Sequence, residues 1–321
     1  MAKKNLKLVG VLHGMERTFP EALVEEINKR KTQAFAERVL IDDVVQGMET
    51  PYAVIFDRIS HDVPFYRATL KMMALSGTAV LNNPFWWSAD EKFFNNGIAL
   101  KVKVPVPKTA LLPSKDRPES TSEKSFLNLK YPLSWDKVFD YVGFPAFMKP
   151  HDGGGWRDVY KIHNREEFFE KYQETRNLVM LLQENINYES YFRCYCIGGD
   201  MVRIMQYEPG NPADQRYVIG GGPVEKELLN KIHKYVVKLN NALGYDFNTV
   251  EFAVRDGIPY AIDFCNPAPD CDLNSVGQDN FEWVVNAAAE LAIRRIKTYK
   301  KIGMNLTWGR YVYEAVRGVS I

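Results

Sequence analysis

The first 105 residues alternate short apolar runs with segments of helical periodicity, and this alternation limits the fold more than any other feature. The runs LKLVGVLHG, AERVLIDDVV, YAVIFDRI and TAVLNN have the length and apolar character of strands. The segments TFPEALVEEINKRK and VPFYRATLKMMALSG have helical periodicity, and Thr18 is the predicted N-cap of the first. Strands that alternate with helices predict a mainly parallel sheet covered by helices. We therefore expect the chain to open with an α/β domain at residues 1–105.

The rest of the chain is predicted to form two further parts. With 321 residues, the chain is longer than one typical domain. Residues 106–185 contain a short helix and β-like segments around a glycine run. Residues 186–321 combine two predicted hairpins with two long helices. The first hairpin is predicted to turn at Gly198, Gly199 and Asp200, and the first helix to end at Gly244. The expected organisation is an α/β leading domain followed by lobes at 106–185 and 186–321.

Composition argues against several classes of partner. The formal net charge is +1 at pH 7, which predicts no nucleic-acid surface and no membrane surface. The N-terminal segment lacks the long apolar core of a signal peptide, and no apolar run reaches the ~18 residues that a membrane span needs. Cys194 and Cys196 alternate in a β-like segment with no histidine nearby, so they are predicted to be buried thiols. We expect a cytoplasmic protein, and the sequence leaves open whether it forms a homo-oligomer.

Three consecutive glycines, Gly153 to Gly155, follow Lys149 at the end of an apolar segment in FMKPHDGGGWRDVYKIH. A hairpin turn is one interpretation, although such a turn normally needs one or two glycines. A phosphate cradle is the other, because the backbone N–H groups of a flexible loop beside an ammonium group suit phosphate oxygens. The segment is not a P-loop, since G-x-x-x-x-G-K-[ST] does not occur in the chain. The residues alone leave both interpretations open.

An acidic pair lies in the predicted hairpin TVEFAVRDGIPYAIDFCNP. Glu251 and Asp263 fall near the middle of facing strands, and Asn266 comes just after the second strand. Two carboxylates and an amide oxygen suit a hard divalent cation such as Mg²⁺. Edge-strand acids that face solvent are the alternative interpretation.

The order of these features resembles the ATP-grasp superfamily. A lysine and glycine loop is followed by the apolar strand LLQEN, an arginine-bearing hairpin and an acidic hairpin that ends in asparagine. Within the superfamily the chain is most similar to the branch of the ribosomal-protein glutamate ligases, with glutathione synthetase and D-alanine–D-alanine ligase more distant. The resemblance covers nearly the whole chain. It implies that residues 1–105 form the leading pre-ATP-grasp domain, 106–185 the small central lobe and 186–321 the large C-terminal lobe, with ATP between the two lobes.

The resemblance implies a nucleotide site. It assigns ATP binding to Lys92, Lys149, Gly153, Gly154, Gly155, Gln183, Glu184, Ile186 and Glu189. In the family, the two matching lysines reach the phosphates, and the glycine loop closes over the triphosphate. The matching segment LLQENI receives adenine partly through backbone groups, and Glu189 would reach the ribose.

The resemblance also implies a metal site and catalytic arginines. Glu251, Asp263 and Asn266 match the family's Mg²⁺ ligands, a site that Mn²⁺ would also suit. Arg193 and Arg216 would stabilise an acyl phosphate or its tetrahedral successor. The chain departs from the family after the second acidic strand, because the family's E-x-N is replaced here by D-F-C-N and the glycine that often follows is replaced by Pro269 and Asp270. Since this spacing is one residue longer, we expect a bulge before Asn266.

The implied activity is that of an ATP-dependent carboxylate–amine ligase. A carboxylate would be activated as an acyl phosphate, and an amine would then displace phosphate. The implied partners are a small-molecule carboxylate and an amine, with amino acids and peptides among them. Two alternatives stay open: a small-molecule kinase of the same fold, and an ATP-binding module without turnover, which the altered D-x-x-N pattern favours.

Two groups of charged residues are open to two interpretations, as contacts to the substrates or as ordinary surface residues. Arg58, His61 and Arg67 form either an anion-binding rim for the acid or ordinary surface charge. Asp270 and Asp272 either face an amine substrate or lie in a surface loop.

Overall fold

The computed structural model describes residues 6–85 and 91–301. The chain divides into two compact units. The first unit comprises Met1–Trp87, Tyr191–Glu251 and Asn266–Ile321, and the second comprises Ser88–Ser190 and Phe252–Cys265. The three-part division of the sequence, with boundaries after residues 105 and 185, stays a prediction.

The N-terminal residues form a parallel sheet with helices, as predicted. The elements are β1 (Lys7–Leu12), α1 (Thr18–Lys29), β2 (Ala34–Arg38), β3 (Tyr52–Asp57), α2 (Pro64–Leu75) and β4 (Ala79–Leu81). The strand order is β2-β1-β3-β4, and the paired strands run parallel. Ile55 of β3, Leu70 of α2 and Val80 of β4 belong to one buried apolar cluster. Because the strands are parallel, their carboxyl ends lie along one edge of the sheet.

The start of helix α1 differs from the prediction. Thr18 was predicted as the N-cap, but the N-cap is Arg17 and Thr18 is the first helical residue. The Thr18 hydroxyl instead donates a hydrogen bond to Asp272 Oδ2 at 2.8 Å. A contact with a residue far away in sequence has replaced the local cap, because a threonine hydroxyl bonds whichever group the fold brings to it.

The second unit is built on an antiparallel sheet. Its elements up to residue 184 are α3 (Lys92–Lys101), β5 (Thr109–Leu112), a 3-10 helix (Glu123–Phe126), α4 (Trp135–Val142), β6 (Ala146–Pro150), β7 (Tyr160–Ile162), α5 (Arg165–Glu174) and β8 (Met180–Glu184). The strand order is β5-β8-β6-β7, and the pairs are antiparallel. Phe139 of α4 and Phe168 of α5 belong to the same buried cluster as Met148 and Leu182 of the sheet. The two helices therefore close the core beneath β6, which carries Lys149.

The remaining elements follow Glu184. They are β9 (Ser190–Ile197), β10 (Met201–Gln206), a 3-10 helix (Ala213–Gln215), α6 (Lys226–Leu243), β11 (Phe247–Arg255), β12 (Ile258–Asp263), α7 (Leu273–Val276) and α8 (Gln278–Thr298). The strand order is β10-β9-β11-β12, and β11 runs from the first unit into the second. The predicted turn at Gly198 and Gly199 is confirmed, with φ of 66° and 83°. Helix α6 ends at Gly244 in the left-handed conformation, also as predicted.

The cysteine prediction is confirmed as well, since Cys194 and Cys196 are both buried free thiols. Within residues 6–85 and 91–301, no helix combines the length and the apolar character that crossing a membrane requires.

Candidate functional site

Two lysines from distant parts of the sequence line one small cavity in the second unit. Lys92 is the first residue of α3, and Lys149 lies on β6. The cavity, of about 10 Å³, is lined by Lys92, Asn95, Asn96, Lys149, Gln183, Ile262, Asp263, Phe264 and Cys265. Two residues predicted to bind phosphate and one predicted metal ligand, Asp263 at the end of β12, therefore meet at one place.

The glycine loop, residues 151–159, connects β6 to β7. The two strands pair antiparallel, so the segment does join a hairpin, but the connection is longer than a tight turn and is exposed at 152–158. Gly153 and Gly155 have φ of 81° and 73°, a region that residues with a Cβ adopt at a cost. A Cβ atom at either position would meet no atom within 4 Å. Backbone conformation, and not crowding, therefore explains why glycine stands there.

Lys92 contacts this loop directly. Its ammonium group donates a hydrogen bond to the Gly153 carbonyl, and its backbone N–H donates to His151 O at 2.9 Å. The start of α3 is thus tied to the glycine loop by both a side chain and the backbone. A change in the loop conformation would move the hydrogen-bond partner of Lys92.

Hydrogen bonds inside the second unit hold two side chains of the predicted adenine segment. Gln183 is buried, and its Nε2 donates to Thr109 Oγ1 at 3.0 Å. The Glu184 carboxylate accepts from Arg255 Nη1 at 2.9 Å and from the Lys108 backbone N–H at 3.2 Å. An ion pair therefore holds the Glu184 side chain beside β11.

The two other residues of the predicted nucleotide segment differ in exposure. Ile186 is buried, whereas Glu189 is exposed and its Oε1 accepts from the Asp256 N–H at 3.2 Å. The roles of Gln183, Glu184, Ile186 and Glu189 toward a nucleotide stay predictions.

Arg193 and Glu251 form an ion pair in the first unit. Arg193 Nη1 lies 3.1 Å from Glu251 Oε1, and the two side chains are 11% and 17% exposed. The Tyr191 hydroxyl donates to the other carboxylate oxygen, Oε2, at 2.7 Å. Arg193, predicted to be catalytic, and Glu251, predicted to bind metal, are thus direct partners. The sequence had not indicated this contact.

Tyrosine side chains surround this ion pair. The Arg193 guanidinium lies 5.5 Å from the centre of the Tyr207 ring, and the Tyr207 and Tyr217 rings are 5.1 Å apart. Burial alone would lower the pKa of Arg193, but Tyr217, Glu251 and the other tyrosines raise it well above its ordinary value. Burial also raises the pKa of the Tyr217 hydroxyl. In the described part of the chain, Arg193 Nε and the Tyr217 hydroxyl have no hydrogen-bond partner.

The last two predicted residues of this unit are held mainly through backbone groups. Arg216 Nε donates to Asn211 O at 3.1 Å, and Arg216 O accepts from the Glu208 N–H at 2.8 Å. The Asn266 backbone N–H donates to Asn248 Oδ1 at 2.7 Å. The catalytic role of Arg216 and the metal-binding role of Asn266 stay predictions.

No protein-family model matches the chain. The glutamate–LysW ligase ArgX of Sulfolobus acidocaldarius is 27% identical over 143 residues, which are 42% of this chain and 50% of that protein. A D-alanine–D-alanine ligase of Bacillus anthracis, solved in complex with ATP, superposes with a TM-score of 0.61 at 16% identity and covers 92% of this chain and 99% of that one. A RimK domain ATP-grasp protein of Sphaerobacter thermophilus superposes with a TM-score of 0.62 at 14% identity and covers 89% and 99%. The chain has the ATP-grasp fold.

The curated relatives are named as ligases, in agreement with the expected class of enzyme. The chain spans about half the length of the curated relatives it matches. The structural superpositions establish the ATP-grasp fold over nearly the whole chain, and they do not establish its activity or its substrates.

The donor set predicted for the metal has the chemistry that Mg²⁺ requires. Glu251, Asp263 and Asn266 offer two carboxylates and an amide oxygen, which are hard oxygen ligands. In residues 6–85 and 91–301, no group of three or more His, Cys, Asp or Glu side chains could hold a metal ion. The predicted set has two carboxylates and one asparagine, so the absence of such a group does not test it. The metal site at Glu251, Asp263 and Asn266 stays a prediction.

Sequence reasoning missed Asn95 and Asn96, which are buried on α3 and line the lysine cavity. A signal for them was present, because residues three and four positions after Lys92 lie on the same helix face. The prediction of an exposed anion-binding rim is wrong for Arg58, because this side chain is buried and its Nε and Nη2 donate to the Glu16 carboxylate at 2.9 and 2.6 Å. Arg67 donates to the Ser60 carbonyl at 3.2 Å.

Proposed function

We propose that this protein is an ATP- and Mg²⁺-dependent ligase that joins a carboxylate to an amine and releases ADP and phosphate. The observation that carries the proposal is the cavity where Lys92 and Lys149 meet Asp263, with Lys92 bonded to the glycine loop. Two ammonium groups beside an exposed glycine loop suit the negative charge of a polyphosphate. The ATP-grasp fold and the ligase names of the relatives support the same reaction.

The proposed reaction has two steps. A substrate carboxylate oxygen first takes the γ-phosphoryl group of ATP, so that ADP leaves and an acyl phosphate forms. A substrate amine then attacks the acyl carbon, the bond from that carbon to the phosphate oxygen breaks, and phosphate leaves as the amide forms. The amine loses a proton in this step. Positioning and charge neutralisation supply most of the catalysis in such transfers.

Several residues of the chain have proposed roles in this reaction. Lys92 and Lys149 neutralise phosphate charge, and movement of the glycine loop over the site excludes water that would hydrolyse the acyl phosphate. Glu251, Asp263 and Asn266 would hold Mg²⁺. When bound, Mg²⁺ supplies positive charge to the phosphate oxygens.

The two arginines are proposed to act on the acyl group. Arg193 and Arg216 stabilise the negative charge of the acyl phosphate and of the tetrahedral species that follows. The Arg193 guanidinium is already oriented by Glu251, so it needs little rearrangement to present its charge.

The proposed substrates are an amino acid or peptide carboxylate and an amine. The relative from Sulfolobus acidocaldarius is named as a glutamate–LysW ligase, and a second curated relative, from Clostridium botulinum, is named as a D-alanine–D-alanine ligase. These names support amino-acid-like substrates as a class. The assay below is designed to identify the acid and the amine.

The test is ADP release from Mg-ATP with pooled carboxylates, pooled amines, and both together. We expect ADP only when both pools are present, and at least about 100-fold less in two variants. Lys149→Ala removes a positive charge proposed to neutralise the phosphates, and Asp263→Asn removes a carboxylate proposed to hold Mg²⁺. Lys161→Ala, an exposed lysine on neighbouring β7, is the matched control and should keep wild-type turnover.

The other outcomes each point elsewhere. ADP formed with a hydroxyl compound alone would indicate a kinase. ATP binding without ADP formation under every pool would indicate a binding module, and the ligase proposal would be abandoned.

A further inference from the structure

The carboxyl edge of the leading parallel sheet contacts one later segment of the chain. This segment, residues 266–273, follows β12 and begins with Asn266. Thr18 follows β1, while Arg58 and Asn82 come directly after β3 and β4. All three bond to the 266–273 segment, although this edge of an α/β sheet is where ligands usually bind.

Asn82 uses all of its side-chain hydrogen-bonding capacity at this place. It is 5% exposed, and its Nδ2 donates to Phe247 O at 2.7 Å and to Pro267 O at 3.1 Å. Its Oδ1 accepts from the Asp246 and Phe247 N–H groups, both at 2.8 Å. Asn82 therefore joins the start of β11 to the residue that follows Asn266.

Asn248 holds Asn266 itself. Asn248 is fully buried near the start of β11, and its Oδ1 accepts the Asn266 N–H at 2.7 Å. Strand β12 ends at Asp263, so Asn266 lies beyond the strand. A side-chain amide thus takes the place of strand pairing at the Asn266 N–H.

Arg58 and Thr18 fasten the rest of the segment. Arg58 Nη2 donates to Pro269 O at 2.6 Å, and the same guanidinium donates to the Glu16 carboxylate through Nε and Nη2. The Thr18 hydroxyl donates to Asp272 Oδ2 at 2.8 Å and accepts the Leu273 N–H at 3.2 Å. The segment is therefore held at both of its ends and in between.

We propose that Asn82 and Asn248 are positioning residues that present the Asn266 amide to the metal. The proposal rests on the proposed function, in which Asn266 is a ligand. A backbone held by a buried amide keeps the ligand oriented before the metal arrives, and loss of such an outer contact typically weakens metal binding about 10- to 100-fold. Asn82, at the carboxyl edge of the leading parallel sheet, then acts on the metal site by holding the backbone beside a ligand.

The test is binding of Mn²⁺, followed by electron paramagnetic resonance, in the presence of a non-hydrolysable ATP analogue. Asn248→Ala and Asn82→Ala should each weaken Mn²⁺ binding about 10-fold. In an Asn266→Ala background, the same changes should weaken it no further than about 2-fold, because both act through Asn266. Asn240→Ala, which removes another fully buried amide from the same unit, should bind Mn²⁺ as the wild type does.

Two results would overturn the proposal. One is wild-type Mn²⁺ affinity in both single variants, and the other is additive losses in the Asn266→Ala background. Urea unfolding of every variant identifies any that fail to fold. If one of Asn82→Ala and Asn248→Ala is unfolded, Mn²⁺ binding by the other variant decides the test. ADP release by the wild type is measured separately, so failure of the ligase proposal is distinguished from failure of the positioning proposal.

Discussion

At the scale of single residues, the Arg193–Glu251 pair shows how burial changes the meaning of a charge. Both side chains are largely buried, and each supplies counter-charge to the other. Removing one partner of a buried pair leaves the other desolvated and unpaired, which usually costs more than the pair itself contributes. The pair is therefore predicted to matter for folding as well as for chemistry.

Arg193→Ala is expected to lower the free energy of unfolding by about 3 kcal/mol, because Glu251 would stay largely buried after losing its ion pair with Arg193. Urea denaturation at pH 7 measures the change. Arg294→Ala is the control, since Arg294 pairs with Asp200 at 2.9 Å while 42% exposed, and exposed pairs are worth about 0–1 kcal/mol. Equal losses in the two variants would contradict the assignment of a buried pair.

At the scale of elements, α3 and α6 use glycine in opposite ways. Gly97 lies inside α3, the helix that begins at Lys92, with open space around it and ordinary helical backbone. Gly244 follows α6 with φ of 71°, where it ends the helix. An alanine suits the first position and strains the second.

Gly97→Ala is expected to raise the free energy of unfolding by about 0.5–1 kcal/mol, since it removes backbone freedom from the unfolded chain and puts a better helix former in α3. Gly244→Ala is expected to lower it by about 1 kcal/mol because of the positive φ. Thermal and urea unfolding of the two variants side by side measures both signs. A loss of stability in Gly97→Ala would mean that the face around Gly97 is covered.

At the scale of the whole molecule, a ligand that binds only the folded chain must stabilise it. Binding contributes RT ln(1 + [L]/Kd), which is about 2.7 kcal/mol when the ligand is at 100 times its Kd. The lysine cavity lies in the second unit, so nucleotide binding is expected to stabilise that unit through Lys92 and Lys149.

Mg-ATP at 100 times the wild-type Kd is therefore expected to raise the free energy of unfolding of the wild type and of Lys161→Ala by about 2.7 kcal/mol. Lys149→Ala should gain clearly less at the same concentration, because it has lost a cationic partner for phosphate. Urea unfolding with and without Mg-ATP measures the difference. An equal gain in Lys149→Ala would place the nucleotide elsewhere.

Much of the secondary structure could be predicted from the sequence. The alternation of apolar runs and helical periods correctly indicated the parallel sheet β2-β1-β3-β4, and glycine correctly marked the β9–β10 turn and the end of α6. These features are local, because the side-chain spacing and the backbone freedom of a few residues decide them. The prediction of Thr18 as an N-cap was wrong because the deciding contact is not local. The Thr18 hydroxyl bonds Asp272, which is remote in sequence.

The sequence alone determined the fold class, the order of the elements, and which residue types were available for phosphate and metal. Only the tertiary structure decided that Lys92, Lys149 and Asp263 line one cavity, that Arg193 neutralises Glu251, and that buried asparagines hold the 266–273 segment. Each of these contacts joins residues that are far apart along the chain. Local periodicity carries no information about which distant side chains will meet, because strand pairing and core packing determine it.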